Sequence, residues 1–90
     1  MEFNVRKNAM TVLAHMYQNC DSSFSVKDFK IGQILQEKND RWQSYTYIVK
    51  SKYTSEWQIH DHPEMTVVSC TLTPEGINAT EDYWSTGQPQ

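Results

Sequence analysis

Cysteine, glycine and proline are scarce in this chain. Its 90 residues include only two Cys, three Gly and three Pro. Cys20 and Cys70 lack a second cysteine at the CxxC or CxC spacing of metal and redox motifs, so we expect each to be a reduced structural thiol. Three glycines are also too few for a glycine-rich loop that cradles phosphate groups. The composition therefore argues against a nucleotide-binding loop, and it gives no support to a disulfide.

Long apolar runs are absent as well. No segment approaches the roughly 20 apolar residues that a membrane-spanning helix needs. The N-terminal stretch MEFNVRKNAM also lacks the continuous apolar segment of a signal peptide. We therefore expect a cytoplasmic protein that has no membrane partner.

The residues that are present suffice for one folded domain. Hydrophobic residues make up 38% of the chain, and three Trp, five Tyr and three Phe offer large surfaces for burial although the mean hydropathy is -0.71. We expect residues 1–84 to form a single domain, because a chain of this length supports one core. Residues 85–90 have no apolar anchor and are predicted to form a disordered tail.

Basic residues are missing from the C-terminal part of the chain. No Lys or Arg follows Lys52, whereas six acidic residues do. Residues 27–52 instead hold six basic and three acidic residues, a balance of +3 in a chain whose net charge is -3. Such segregation favours a face that meets an anion, and drift in a short chain is the alternative.

The first helix is predicted from an apolar stripe near the N-terminus. Apolar side chains recur at the spacing of a helix with one buried face, namely Val5, Ala9, Val12, Leu13, Met16 and Tyr17. This helix is expected to run from about residue 4 to residue 18. Turn formers at 19–23 follow, and residues 24–26 form a short extended candidate.

A second helix is predicted directly after this short strand. Ser25 followed by Asp28 resembles a capping box, in which a hydroxyl and a carboxylate satisfy the free backbone N–H groups at a helix start. The core side of the helix would then consist of Phe29, Ile31, Ile34 and Leu35. Gly32 weakens it by about 1 kcal/mol relative to Ala.

A third helix is predicted over about 41–53. Asp40 with Gln43 repeats the capping pattern at its start. Its inward positions are expected to be Trp42, Tyr45, Ile48, Val49 and Tyr53, and its solvent side Gln43, Ser44, Tyr47, Lys50 and Ser51. Two short helices joined by a tight turn make a helix-turn-helix unit. The β-branched and aromatic run YTYIV leaves a strand open as the alternative.

From Glu56 onward the apolar period changes from 3.6 to 2, which predicts a β-hairpin. Pairing the apolar positions of its two strands places Ile59 opposite Val68 and Trp57 opposite Cys70, with a loop at about 61–66. After the hairpin, a last helix is predicted at the segment TPEG, where a threonine can cap and a proline suits the first helical position. Its inner side would carry Ile77, Thr80 and Trp84.

The predicted elements follow the order of a winged helix, an α+β fold of helix, short strand, helix, helix, two-stranded wing and C-terminal helix. The closing segment LTPEGINATEDYW resembles the L-T-x-x-G ending that follows the second wing strand in many small winged-helix proteins, including the YjcQ-like family of bacterial and phage proteins. In this chain the motif is Leu72, Thr73 and Gly76. In winged-helix proteins the third helix commonly enters the DNA major groove, and the wing touches the backbone or the minor groove. The resemblance therefore implies DNA contacts at Arg41, Gln43, Ser44, Tyr47, Lys50 and Ser51, and a wing that carries His60 and His62.

The histidines of the segment QIHDHPEM first invite a metal site. His60 and His62 are two residues apart, and Asp61 or Glu64 could join them. A structural zinc needs four ligands, however, and Cys70 is expected on the opposite, buried face of the hairpin. We therefore predict that no metal binds and that the segment is the tip of the wing.

A catalytic interpretation of the same segment fares no better. His60, Asp61 and Ser69 have the residue types of a nucleophile, base and orienting group. No nucleophile elbow and no oxyanion donor accompany them in the sequence. We predict no enzyme activity and no cofactor; protonation of the histidines would make the tip more positive at lower pH.

Two functions are compatible with this layout. In the first, the protein is a small DNA-binding or transcription-regulating domain whose third helix reads double-stranded DNA, and a homodimer would double its basic face. In the second, it is a protein-interaction module, such as a phage or mobile-element accessory protein, that does not bind nucleic acid. The acidic wing and a pI near 5.5 count against DNA. An ordinary solvated helix face is the alternative for the six contact residues.

Overall fold

The computed structural model describes residues 2–60 and 65–85. This part of the chain contains three α-helices, namely α1 (Glu2–Asn19), α2 (Lys38–Lys50) and α3 (Pro74–Ser85). It also contains one antiparallel sheet of three strands in the order β1-β3-β2, formed by β1 (Ser25–Lys30), β2 (Gln58–His60) and β3 (Thr66–Thr71). The protein is therefore an α+β fold, and its layout is compatible with a winged-helix-like arrangement.

The core lies between α1, the sheet and the other two helices. The predicted stripe of α1 is confirmed, since Ala9, Val12, Leu13 and Met16 are fully buried. Other elements meet it with the buried side chains of Val26, Phe29, Ile31, Leu35, Ile48, Trp57, Met65, Val67, Cys70, Leu72 and Tyr83. None of the helices in the described part of the chain is both long and apolar enough to cross a membrane.

The predicted second helix is wrong. The residues assigned to its start form β1, and only a short 3₁₀ turn, Ile31–Gln33, follows. Ser25 and Asp28 do not cap a helix; the Ser25 hydroxyl lies 3.3 Å from that of Thr71 on β3. The backbone groups of this segment find their partners in the sheet, where β1 pairs with β3 over five positions. Pairing with a distant strand therefore outweighs a local capping signal.

The strands β1 and β3 each depart from alternation at the same level of the sheet. Val26 pairs with Cys70 and Phe29 pairs with Val67, and all four side chains are buried. Along each strand, however, the two buried residues are three positions apart, whereas regular alternation would put them on opposite faces. On β1 the extra residue is Asp28, which has a positive φ of 53°. On β3 the extra residue is Val68, whose side chain is 40% exposed. An extra residue in each strand thus returns the next apolar side chain to the core face.

The extra residue Val68 also changes the register of the hairpin between β2 and β3. The strand β2 pairs Gln58 with Ser69 but Ile59 with Val67, so the register shifts by one residue between them. The predicted pairing of Ile59 with Val68 is therefore wrong. The predicted pairing of Trp57 with Cys70 is wrong as well, since Trp57 precedes β2 and is buried there. A bulge moves side chains between faces without leaving a signal in a simple period of two.

The helix α2 confirms the helical interpretation of the segment YTYIV but not its predicted orientation. It begins three residues early, with Glu37 rather than Asp40 as its N-terminal flanking residue. Ser44 is fully buried together with Ile48, so the prediction that Ser44 faces solvent is wrong. Because serine is small, α2 packs closely against the core along the face that carries Ser44 and Ile48. The neighbouring aromatic side chains of Trp42, Tyr45 and Tyr47 are only half buried.

The L-T-x-x-G motif joins the end of α2 to the start of α3. The Thr73 hydroxyl donates to the carbonyl oxygen of Lys52 at 2.6 Å and accepts from the backbone N–H of Gly76 at 3.1 Å. The backbone N–H of Thr73 donates to the Tyr53 carbonyl oxygen at 3.0 Å. The predicted cap and the predicted start of α3 at Pro74 are both confirmed. Two residues of the motif therefore have a structural explanation that requires no ligand.

The inner side of α3 differs in one residue from the prediction. Thr80 is buried as expected, and its hydroxyl donates to the Gly76 carbonyl oxygen at 2.7 Å. Tyr83, not Trp84, is the buried aromatic residue, whereas Trp84 is 37% exposed and donates its indole N–H to the Met10 carbonyl oxygen at 3.3 Å. Residues 86–90, which include most of the predicted tail, lie outside the described part of the chain.

Candidate functional site: the exposed face of helix α2

One face of α2 is a continuous polar stripe. Asn39, Gln43, Thr46 and Lys50 are all exposed, and they follow one another at spacings of four, three and four residues. Residues three and four apart lie on the same side of a helix. The stripe therefore presents two amides, one hydroxyl and one ammonium along a single line.

An apolar groove of about 410 Å³ runs beside the stripe. Its walls include Val5 of α1 together with Trp42 and Tyr47 of α2. The Trp42 ring stands edge-on to the Tyr45 ring, with centroids 5.6 Å apart and planes at 90°, which fixes its orientation. The polar stripe and this groove form one continuous surface between α1 and α2.

Only part of the predicted DNA-contacting set lies on this surface. Gln43 and Lys50 belong to the stripe, and Tyr47 lies in the groove wall. Ser51 follows the last residue of α2, and its backbone N–H donates to the Tyr47 carbonyl oxygen at 3.0 Å. Ser44 lies inside the core.

Arg41 serves the loop that precedes α2. Its Nη1 donates to the carbonyl oxygens of Leu35 and Gln36, at 3.0 and 2.9 Å. Its Nε is buried and has no hydrogen-bond partner. A guanidinium engaged in this way holds the loop against the start of α2, so less of it is available to an external anion.

The sequence interpretation missed Asn39, Thr46 and the groove. Asn39 lies before the predicted start of α2 at about residue 41. The signal was nevertheless present, since Asn39 and Thr46 stand at helical spacing from Gln43 and Lys50. No such signal exists for Val5, because its position beside α2 depends on how α1 packs.

Charge around the stripe is mixed. Lys38 and Lys50 lie at the two ends of α2, while Glu37 and Asp40 lie at its N-terminal end. An acidic residue suits the positive end of a helix dipole, and Lys50 suits the negative end. These charges therefore favour the helix itself, and Lys50 is the cation of the stripe.

The wing is described only in part. His60 is exposed at the end of β2 and pairs with Thr66. His62, Asp61 and Glu64 lie outside the described residues. Within residues 2–60 and 65–85 no three potential metal ligands come together. The absence of a metal from the wing tip therefore stays a prediction.

Neither cysteine thiol is fully exposed to solvent. Burial raises the pKa of the Cys70 thiol to about 12, so this residue stays a neutral thiol at physiological pH. The half-buried Cys20 donates its S–H to the Tyr17 carbonyl oxygen at 3.1 Å. Both are free thiols, as predicted.

No protein-family model, curated protein or solved structure matches this chain. The resemblance to the YjcQ-like winged-helix family therefore stays a prediction, drawn from the predicted order of elements and from Leu72, Thr73 and Gly76. Thr73 and Gly76 join α2 to α3, so the motif by itself points to a fold and not to a ligand.

Replacing Ser44 with Ala tests whether this residue contributes to a binding surface. Its Oγ is buried without a hydrogen-bond partner, and an unsatisfied buried hydroxyl costs about 1–3 kcal/mol. We expect Ser44→Ala to keep or raise the free energy of unfolding in urea, as substitution of an interior residue outside any binding surface should. Thr80→Val is the matched control, because it removes a buried hydroxyl that does have a partner and should cost about 1 kcal/mol. A loss of stability from Ser44→Ala as large as that from Thr80→Val would contradict this interpretation.

Proposed function

We propose that the protein binds double-stranded DNA and that α2 lies in the major groove with its polar stripe towards the base pairs. The observation that carries this proposal is the alignment of Asn39, Gln43, Thr46 and Lys50 on one exposed face. The structure lacks the predicted second helix and therefore the helix-turn-helix unit, but the remaining order of elements is compatible with a winged-helix-like arrangement in which α2 takes the place of the reading helix.

The residue types of the stripe suit base-edge contacts. The amides of Asn39 and Gln43 can each form two hydrogen bonds with adenine at N6 and N7. The methyl group of Thr46 suits the thymine methyl, and the ammonium of Lys50 suits guanine or a phosphate. No member of the stripe is acidic, so nothing on it repels the phosphate backbone.

The length of the stripe suits the major groove of DNA. Eleven residues separate Asn39 from Lys50, which at 1.5 Å per residue spans roughly 16 Å. This length covers about five base pairs, and the major groove is about 12 Å wide, enough for a helix with its side chains. A single helix face would therefore read a short site, and a homodimer would read two half-sites.

The experiment is a DNA-binding titration by fluorescence anisotropy at two salt concentrations. A contact from Lys50 to phosphate predicts that Lys50→Ala lowers the slope of log affinity against log salt by about 1. Adding Gln43→Ala should weaken binding to a preferred sequence further, by roughly 5- to 150-fold, since a bidentate base contact is worth about 1–3 kcal/mol.

The matched control for this titration is Lys52→Gly. It removes the same charge two residues beyond the stripe, and the positive φ of 61° at Lys52 suits glycine. We expect it to keep the wild-type affinity within about twofold. Absence of binding even at low salt, or equal losses from Lys50→Ala and Lys52→Gly, would refute the proposal.

Protein interaction is the second candidate, and the groove is the observation that favours it. Val5, Trp42 and Tyr47 line a concave apolar surface next to polar residues, a composition typical of interface cores. In that case Val5→Asp would abolish association with the partner, whereas Lys50→Ala would change it little. A sedimentation measurement of wild type and Val5→Asp tests whether the partner is a second copy of the chain.

A further inference from the structure

A second concave surface lies at the other end of α1. It encloses about 490 Å³ and is lined by His15 and Asn19 of α1, by residues 27–30 of β1, and by Gln33 and Ile34. We call this surface the β1 cleft. Ten to fourteen residues of α1 separate it from Val5 in the α2 groove, which is roughly 15–21 Å along the helix axis. It is therefore separate from the site proposed for DNA reading.

The irregularity of β1 brings two lysines to this cleft. Lys27 and Lys30 are three residues apart and would lie on opposite faces of a regular strand. The extra residue Asp28, with its φ of 53°, restores both to the exposed face while Val26 and Phe29 remain buried. The bulge thus aligns two ammonium groups that strict alternation would separate.

Within residues 2–60 and 65–85, neither Lys27 nor Lys30 forms an ion pair. Asp21 and Lys27 attract each other through a Coulomb interaction. Asp21 already accepts hydrogen bonds from the Ser25 backbone at 3.0 Å and from Ser23 at 2.9 Å, and these lower its pKa. No carboxylate of the described residues therefore occupies the N–H donors of these two ammonium groups.

The remaining wall supplies further polar groups. His15 is held in place because its Nδ1 lies 3.0 Å from the Thr11 carbonyl oxygen. The Asn19 amide donates one hydrogen to the His15 carbonyl oxygen at 2.7 Å, and it has a second hydrogen to donate. Gln33 adds another exposed amide. Asp28 is the one acid in the lining, so the cleft carries a charge of +1 with His15 neutral.

We propose that the β1 cleft binds a phosphate group. Lys27 and Lys30 would provide two charge-assisted hydrogen bonds, and the amides of Asn19 and Gln33 would donate to the remaining oxygens. The phosphate group is carried either by a nucleic-acid backbone or by a small phosphorylated compound. This proposal does not depend on the α2 stripe, because none of its residues is shared.

The test is a titration with inorganic phosphate at constant ionic strength, followed by the backbone amide shifts in NMR. We expect saturable shifts at residues 27–30 and around Asn19 and Gln33, with a Kd of about 1 mM, a typical value for a weak site of few contacts. The variant Lys27→Ala/Lys30→Ala should raise this Kd at least tenfold. Its matched control is Lys38→Ala/Lys52→Ala, which removes the same charge from exposed positions outside the cleft and should keep the Kd within about twofold.

Two further arms identify the source of the phosphate. If it belongs to a DNA backbone, Lys27→Ala/Lys30→Ala should lower the salt slope of duplex binding by about 2, while Lys50→Ala lowers it independently. If it belongs to a small compound, a mononucleotide should shift the same amides and the duplex slope should stay unchanged. Shifts that do not saturate, or a control variant that loses as much affinity as the cleft variant, would overturn the proposal.

Discussion

Replacing Gly76 with Ala is expected to unfold a large part of the population or to lower the free energy of unfolding by more than about 3 kcal/mol. A Cβ at this position would lie 1.9 Å from the Tyr53 carbonyl oxygen and 2.8 Å from its carbonyl carbon. Both atoms belong to the backbone, so no side-chain rotation can relieve the overlap. A domain of this size is stable by only about 5–13 kcal/mol, so the loss would be a major fraction of the total.

The alternative for the Gly76→Ala protein is that α3 moves away from Tyr53. Such a shift would break the hydrogen bonds through which Thr73 joins Lys52 and Tyr53. Urea unfolding followed by circular dichroism measures the loss. The control is Asn78→Ala on the exposed side of the same helix, which should stay within about 0.5 kcal/mol of wild type. A Gly76→Ala protein within 1 kcal/mol of wild type would show that the close approach is not required.

Trp57→Ala is expected to cost about 3–5 kcal/mol, the usual range for removing a large buried aromatic side chain. Trp57 is 5% exposed, and its ring packs edge-on against Tyr45 with centroids 5.0 Å apart. Its indole N–H donates to the Thr54 hydroxyl at 2.7 Å in the interior. The side chain therefore supplies both apolar area and a buried hydrogen bond where α2 leads into the sheet.

Two further variants separate these contributions. Trp57→Phe keeps most of the ring but leaves the Thr54 hydroxyl without its donor, so a loss of about 1–3 kcal/mol is expected. Trp84→Ala is the control for tryptophan itself, and it should cost less than Trp57→Ala because Trp84 is 37% exposed. Thermal unfolding of the three proteins gives the order; equal losses for Trp57→Ala and Trp84→Ala would contradict the burial argument.

Helices were easier to predict than strands in this chain, because their signals are local. The stripe of α1 and the cap of α3 at Thr73 follow from residues close in sequence, and the structure confirms both. The strand conformation of β1 does not follow from nearby residues, since Val26 and Phe29 fit a helix face as well as they fit a bulged strand. Pairing with β3, some 40 residues away in sequence, decides between the two.

The helix that carries the candidate site was predictable from the sequence, but the residues on its exposed face were predictable only in part. Sequence alone placed a helix near residues 41–53 and named Gln43 and Lys50, which do lie on its exposed stripe. It also named Ser44, which is buried, and passed over Thr46. A helix that carries both aromatic and small polar residues has several plausible inner faces, and the choice depends on what packs against it.

The sequence by itself determined that the described part of this protein is an α+β fold that begins and ends with a helix and has a further helix in the region of residues 41–50. Those features follow from short-range periodicity and, for α3, from the capping residue Thr73. Only the tertiary structure decided the rotation of α2, the extra residues in β1 and β3, and the approach of Gly76 to the backbone of Tyr53. Each of these depends on contacts between residues far apart in sequence, where close packing selects one arrangement among several that local preferences allow equally.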